Sequence, residues 1–209
     1  MIAYAPPGNR RSIDAMRRAG WRMLLSPKSH DRRSHGFPYA IDNGAWTAYQ
    51  QKTTFDDGAF RRLVASHGAD ADWIAVPDIV AGGVESLAFS LSWLPELRRV
   101  GARLLIPVQD GMNPEDVRPH VSTGAVGVFV GGSTEWKIET IPVWGAWAQR
   151  LGLWCHVGRV NTGRRIAHCL LAGVTSIDGS RASRYSKDIP FLDAARRQIP
   201  LFGPADFGA

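Results

Sequence analysis

Short apolar runs alternate with amphipathic stretches along nearly the whole chain. The runs are MIAYAP (1–6), WRMLLSP (21–27), PYAID (38–42), DWIAVPD (72–78), RLLIPVQD (103–110), VGVFVGG (126–132), LWCHVG (153–158) and VTSIDG (174–179). They are continuously apolar rather than alternating, the pattern of parallel strands covered on both faces. Between them, FDDGAFRRLVASHG places Phe60, Leu63 and Val64 on one helical face, with Thr54 expected to cap its start. GGVESLAFSLSWLPELRRVG carries Leu87, Leu91 and Leu94, and a kink is expected at Pro95. NPEDVRPH opens with Asn113 as cap and Pro114 in the first helical position. STEWKIETIPVWGAWAQRLG and NTGRRIAHCLLAG complete the helical series. The polar segment 27–37, PKSHDRRSHGF, reads as a loop where a helix would otherwise stand.

Eight strands alternating with helices, without repeats or linkers, predict a compact single-domain (β/α)8 barrel over the 209 residues. An open doubly wound sheet is the competing architecture. Neither GxGxxG nor GxxxxGK[ST] follows the first strand, which weakens the nucleotide-binding versions of that fold.

Composition changes the picture in three places. No window approaches the roughly 18 apolar residues of a membrane span, and the first residues lack the order of a secretory signal, so a cytoplasmic protein is expected. Cys155 and Cys169 are the only cysteines, read as reduced, buried thiols. No CxxC or His/Cys cluster has zinc spacing, and neither metal nor cofactor is expected. The net charge is +6, and Lys28, Lys52, Lys137 and Lys187 are the only lysines among 25 basic residues. An arginine-rich surface suits phosphate contacts and stacking on bases, although ordinary solvated helix faces have the same composition.

Barrel chemistry sits at the C-terminal ends of the strands. Here that rim carries Asp42, Asp78, Gln109 with Asp110, Gly131 with Gly132, His156 and Asp178. A single strand-end aspartate is commonly a cap or turn former. Three on one rim repel one another, which raises some of their pKa values and suits nucleophile and acid/base roles. Divalent-metal binding would use the acids but leaves Trp46 and the paired glycines without a role. Glycosyl transfer uses more of the set: one carboxylate attacks an anomeric carbon while a second handles the leaving group's proton. A leaving group that is a base also asks for an aromatic plate and hydrogen bonds to its edge.

In this order the motifs resemble the tRNA-guanine transglycosylase superfamily over roughly residues 38 to 188. In size and organisation the chain is most similar to its phage branch, the deazapurine DNA-modification transglycosylases. IDNGAW resembles the family's aspartate–small–glycine–small–aromatic segment, and VPD its next acid. PVQDG resembles the glutamine-glycine strand end, VGGSTE the Gly-Gly…Glu turn, and GVTSIDGSR the late strand that carries the nucleophile. The resemblance implies that Asp178 attacks C1′ of the nucleotide, Asp42 is the general acid/base and Trp46 stacks on the purine. It implies that Asp78 and Gln109 read the guanine edge and that backbone N–H groups near Gly131 and Gly132 contact the base carbonyl. Glu135 would support that turn or meet the incoming base. His156 is read as a hydrogen-bonded residue of the substrate-facing rim. Arg159, Arg164, Arg165, Arg181 and Arg184 cluster beside the implied nucleophile as candidate phosphate contacts.

The tRNA enzymes carry a C-terminal zinc site and a longer chain, both missing from this sequence. The expected partners are therefore DNA and a 7-deazaguanine base such as 7-cyano-7-deazaguanine, with tRNA the less favoured substrate. Hydrolysis to an abasic site, or a non-catalytic nucleic-acid-binding barrel, are the other readings of the same residues.

Overall fold

The computed structural model describes residues 1–29 and 34–198. Eight parallel strands close into one barrel in chain order. They are β1 (Ile2–Ala5), β2 (Arg22–Leu25), β3 (Tyr39–Ile41), β4 (Ile74–Ala75), β5 (Leu104–Val108), β6 (Val126–Val130), β7 (Cys155–Val157) and β8 (Ser176–Asp178). One strand falls in each apolar run, and pairing of Tyr4 with Asp178 closes the ring between β1 and β8. The helices are α1 (Arg10–Ala19), α2 (Ala45–Gln50), α3 (Asp57–His67), α4 (Glu85–Leu97), α5 (Pro114–Val117), α6 (Thr134–Arg150), α7 (Gly163–Leu171), α8 (Arg181–Arg184) and α9 (Ile189–Arg197). None is long and apolar enough to cross a membrane. Of the loop expected at 27–37, residues 30–33 lie outside the described residues, and those on either side form turns.

Continuous apolarity in the strands resolves into two faces. Ala3, Met23, Ile41, Ile74, Ile106, Val128, Val157 and Ile177 point outward into the core shared with the helices. Tyr4, Leu24, Ala40, Trp73, Ala75 and Leu105 point inward, joined by Ile2, Phe129 and Trp154. Trp73 is the centre of this inner layer, 5.3 Å from Tyr4, 6.0 Å from Phe129 and 4.5 Å from the His156 ring. Beneath it the floor is polar but satisfied: the Tyr4 hydroxyl donates to Asp72 at 2.8 Å, and Arg22 pairs with the same carboxylate oxygen at 2.8 Å. Among the described residues the barrel interior is therefore a packed plug rather than a pore. Both cysteines are free and buried.

Local signals at the helices held in part. Asn113 caps α5 within a reciprocal box with Asp116, and Pro114 takes the first position. The cap of α3 is Asp56 rather than Thr54: its side chain accepts from the Ala59 N–H at 2.8 Å, because the helix begins two residues beyond the expected start. Helix α4 runs through Pro95 to Leu97 and then tightens into a 3-10 turn that ends at Gly101. Pro142 in α6 has a more specific consequence. It lacks the N–H that would bond the Ile138 carbonyl, and that carbonyl instead accepts from His168 Nε2 of α7 at 2.9 Å.

Gly127 marks where the barrel wall admits no side chain. A Cβ there would lie 2.3 Å from the Trp154 carbonyl oxygen and 3.0 Å from Leu105 Cδ2. Gly127→Ala is expected to destabilise the fold by about 1–3 kcal/mol through overpacking. Urea denaturation of the variant checks this, and a midpoint equal to that of wild type would contradict the packing.

Candidate active site

The strand ends of β3, β4, β5 and β8 deliver their polar side chains to one cavity of about 660 Å³ at the C-terminal mouth. Leu24, Ala75, Pro107 and Phe129 form its apolar lining low in the barrel. Asp42, Asp78, Gln109, Asp110, Arg159 and Asp178 supply the polar groups, and Trp46 with Tyr49 of α2 forms one side. Among the described residues, no group of three or more His, Cys, Asp or Glu is placed to hold a metal ion.

Asp42 leaves β3 and accepts from the Gly44 N–H at 3.1 Å. Gly44 occupies the left-handed region at φ 83, where a Cβ would also press on Pro27 and Ser26 at 3.3 Å. Burial first, then the charges of Asp178 and Asp78, push the Asp42 carboxyl up to about 7. Asn43, between them, is a structural bridge to the next strand. Its Nδ2 donates to the Val76 carbonyl and to Asp78 Oδ1, both at 2.8 Å, while its Oδ1 accepts from the Ala45 N–H.

Asp78 Oδ2 accepts from Gln109 Nε2 at 2.6 Å. Burial pushes this carboxyl up to about 6, against the downward pull of the Asn43 and Gln109 hydrogen bonds. The Gln109 amide cannot be turned over, since its oxygen would then face the carboxylate. In the orientation Asp78 imposes, Gln109 Oε1 is buried and has no hydrogen-bond partner among the described residues. This orphaned acceptor, with no accessible surface of its own, is a cost the fold carries in holding Asp78.

Asp178 ends β8, buried at 8% exposure, and both its oxygens accept from the Arg159 backbone N–H at 3.2 Å. His156 Nε2 lies 3.4 Å from Oδ2. Arg159 adopts φ 60, uncommon for a residue with a side chain. Its guanidinium lies 3.9 Å from the Trp46 ring centroid and also bonds the Gly132 carbonyl. The preceding glycine is required by space: a Cβ at Gly158 would stand 2.7 Å from Phe129 and 3.3 Å from Asp178 Oδ2.

The structure separates the other sequence-predicted residues. Gly131 and Gly132 line the cavity, but the Gly131 N–H already donates to the Val108 carbonyl at 2.9 Å, so it is not free for a ligand. The Gly132 N–H has no partner among the described residues. Asp110 fixes this turn by accepting from the backbone N–H of Ser133 at 2.7 Å and from its hydroxyl. Glu135 is exposed and does not line the cavity, because α6 carries it outward after Ser133. His156 is fully buried below the mouth rather than on it: its strand register points it into the aromatic plug. Arg159 is the one arginine of the predicted group inside the cavity. Arg164 and Arg184 are exposed, Arg165 lies beside Lys137 and His168 in a small separate pocket, and Arg181 is paired with Asp188 at 2.6 Å.

Two contributors had no signal in the sequence. Asn43 reads as half of an Asn-Gly turn, and its reach to Asp78 depends on β3 and β4 being neighbours. Lys137 reads as a polar position on α6, yet it is buried beneath the Gly158–Arg159 turn and donates to the Gly158 carbonyl at 2.6 Å. Burial foremost, with Arg159 nearby, draws its ammonium down to about 8. The chain matches no protein-family model and no curated protein.

The raised Asp42 carboxyl fixes a sign for stability. An ordinary aspartate releases its proton near 3.8, whereas Asp42 holds it to about 7. Between those values the folded state binds more protons than the unfolded state, so stability falls as pH rises, by up to about 1.4 kcal/mol per pH unit. Asp42→Asn removes this slope. Its stability relative to wild type is expected to improve by about 2 kcal/mol between about pH 5 and about pH 8, read from urea midpoints. An identical difference at both values would contradict the shift.

Proposed function

We propose that the protein is a nucleic-acid base-exchange enzyme: a DNA-guanine transglycosylase that replaces guanine with a 7-deazaguanine such as 7-cyano-7-deazaguanine. The observation that carries this reading is the division of labour between two carboxylates facing one cavity. Asp178 is surrounded by donors, the setting of an acceptor and attacking group. Asp42 has its pKa near neutrality, the setting of a group that gives and takes a proton at working pH.

In the first half-reaction an Asp178 oxygen bonds to C1′ as the C1′–N9 bond of guanine breaks, and Asp42 gives its proton to the departing base. In the second, Asp42 takes the N9 proton of the deazapurine. The freed nitrogen bonds to C1′, and the Asp178–C1′ bond breaks, restoring both carboxyls. Asp78, with Gln109 beside it in the cavity lining, offers a carboxyl acceptor to the N–H edge of a guanine-like ring. The Gly132 N–H, without a partner among the described residues, is the donor this reading assigns to its carbonyl. The extruded nucleotide needs a cavity of hundreds of Å³ with apolar walls and a few convergent polar groups, which the mouth supplies.

Distribution of arginine favours a polyanionic partner. The first turns of α1 and α7 carry Arg10 with Arg11, and Arg164 with Arg165, and neither contains an acid. Positive charge there opposes the helix dipole, unlike Arg17 and Arg18 in the last turn of α1. These helices follow β1 and β7, the strands on either side of Asp178.

Incubation with duplex DNA and labelled deazaguanine tests the proposal. Label retained in polymer is expected; alkali-labile breaks without retained label would make the protein a hydrolytic glycosylase instead. Asp178→Asn is expected to abolish exchange while DNA binding persists, and wild-type-like exchange by this variant would sink the nucleophile assignment. Asp42→Asn is expected to slow guanine release by about 10²–10⁴-fold. In wild type, single-turnover release should fall as pH rises above about 7, where Asp42 loses the proton it must donate. Neutralising Arg10, Arg11 and Arg164 together should flatten the salt dependence of binding, by about one unit of slope for each phosphate no longer neutralised.

A further inference from the structure

Resting on Asp178 as the proposed nucleophile, we infer that Trp154, Ser176 and His156 form a directed hydrogen-bond chain that locks His156 as the neutral Nε2–H tautomer. This makes His156 a positioning residue that fixes one oxygen of Asp178 and leaves the other to attack.

The direction of the chain follows from what each group can do. An indole N–H only donates. Trp154 Nε1 lies 2.7 Å from Ser176 Oγ, so that oxygen accepts there. Ser176 Oγ is also 2.9 Å from His156 Nδ1. The hydroxyl keeps a second lone pair, so the direction is set at the ring's other nitrogen. A carboxylate oxygen only accepts, which calls for a proton on Nε2 and leaves Nδ1 to accept the serine's hydrogen. A neutral imidazole has one proton, so it resides on Nε2, facing Asp178 Oδ2 at 3.4 Å. The reverse tautomer would turn a nitrogen lone pair toward the carboxylate and leave the serine hydrogen without this acceptor.

The ring is kept dry and immobile. Trp73 and Phe129 stand 4.5 and 4.7 Å from it, Tyr4 5.9 Å, and His156 has no exposed surface. Burial lowers the imidazole's pKa, outweighing the opposing pull of Asp178. Oδ2 therefore receives both His156 and the Arg159 N–H, while Oδ1 receives the Arg159 N–H alone. Oδ1 is the less engaged oxygen and the attacking atom. In the resulting ester Oδ2 becomes the carbonyl oxygen, and the same His156 N–H polarises it for departure of the carboxylate. No proton moves along the chain in either step.

Long-range ¹H–¹⁵N correlation on the full-length, histidine-labelled protein at neutral pH tests the tautomer without reference to activity, with His156→Gln identifying the resonance. A protonated-type shift at Nε2 and an unprotonated-type shift at Nδ1 are expected, and either Ser176→Ala or Trp154→Phe should shift the ring toward mixed tautomers. The reverse pattern, or an imidazolium, overturns the chain. Kinetics provide the second arm. Ser176→Ala should slow formation of the Asp178–nucleotide intermediate by about tenfold. It should change the rate less than about twofold when His156 is already Gln, whose amide donates without needing the serine. Equal effects in both backgrounds overturn the positioning role. A correct tautomer in a protein that performs no base exchange retains the chain and defeats the proposed reaction, whereas exchange with the wrong tautomer does the opposite.

Discussion

Closing eight parallel strands into a ring gives every strand two buried faces and directs all inward side chains into one shared interior. That constraint organises the molecule. Outward residues merge with the helices, and inward residues must fill the bore, where Trp73, Tyr4, Phe129 and His156 pack against one another. Above that plug the next inward positions are Asp42, Gln109, Gly131 and Asp178, with Asp78 just beyond β4. The alternation that builds the core also delivers the polar set to the mouth.

Once brought together, the carboxylates must be held apart in chemical behaviour. The protein does this with fixed dipoles at hydrogen-bond distance and with the Arg159 and Lys137 charges acting from further away. Side-chain amides from Asn43 and Gln109 engage Asp78, and the backbone N–H of Arg159 reaches both oxygens of Asp178. Asp42 has the Gly44 N–H and the Ser26 side chain, and burial beside Asp178 and Asp78 outweighs both, so it is pushed higher than Asp78. The turn that carries Arg159 is correspondingly well anchored. Lys137 holds the Gly158 carbonyl from below, Gly158 makes room for Phe129, and the Arg159 side chain spans to Gly132.

Periodicity made the architecture legible because a strand buried on both faces and an amphipathic helix differ in pattern over only a few residues. Strand-end acids were legible for the same reason: a carboxylate closing an apolar run has few places to go in a barrel. Contacts between neighbouring strands were not. Asn43 looks like a turn former until β4 is placed beside β3, and Lys137 looks solvent-facing until the β7 turn is laid over it. His156 was misplaced by height, since the sequence shows that it belongs to β7 but not that its register sinks it into the plug. Gly131 failed for a related reason, its N–H being claimed by the barrel ladder. Glu135 was lost to the direction in which α6 departs.

Trp46 and Arg159 follow β3 and β7, four places apart in a ring of eight, so their contact crosses the mouth from one side to the other. The indole thus already has a flat, positively charged partner on one face, while Tyr49 packs 5.8 Å away. Any ring that stacks on the guanidinium's side of Trp46 must take the guanidinium's place. Its affinity is then a difference between two stacking energies, with the protein as the resident competitor. A ring that replaces a cation gains little from polarity and most from the area it overlaps, which favours wide fused systems over single rings at this plate.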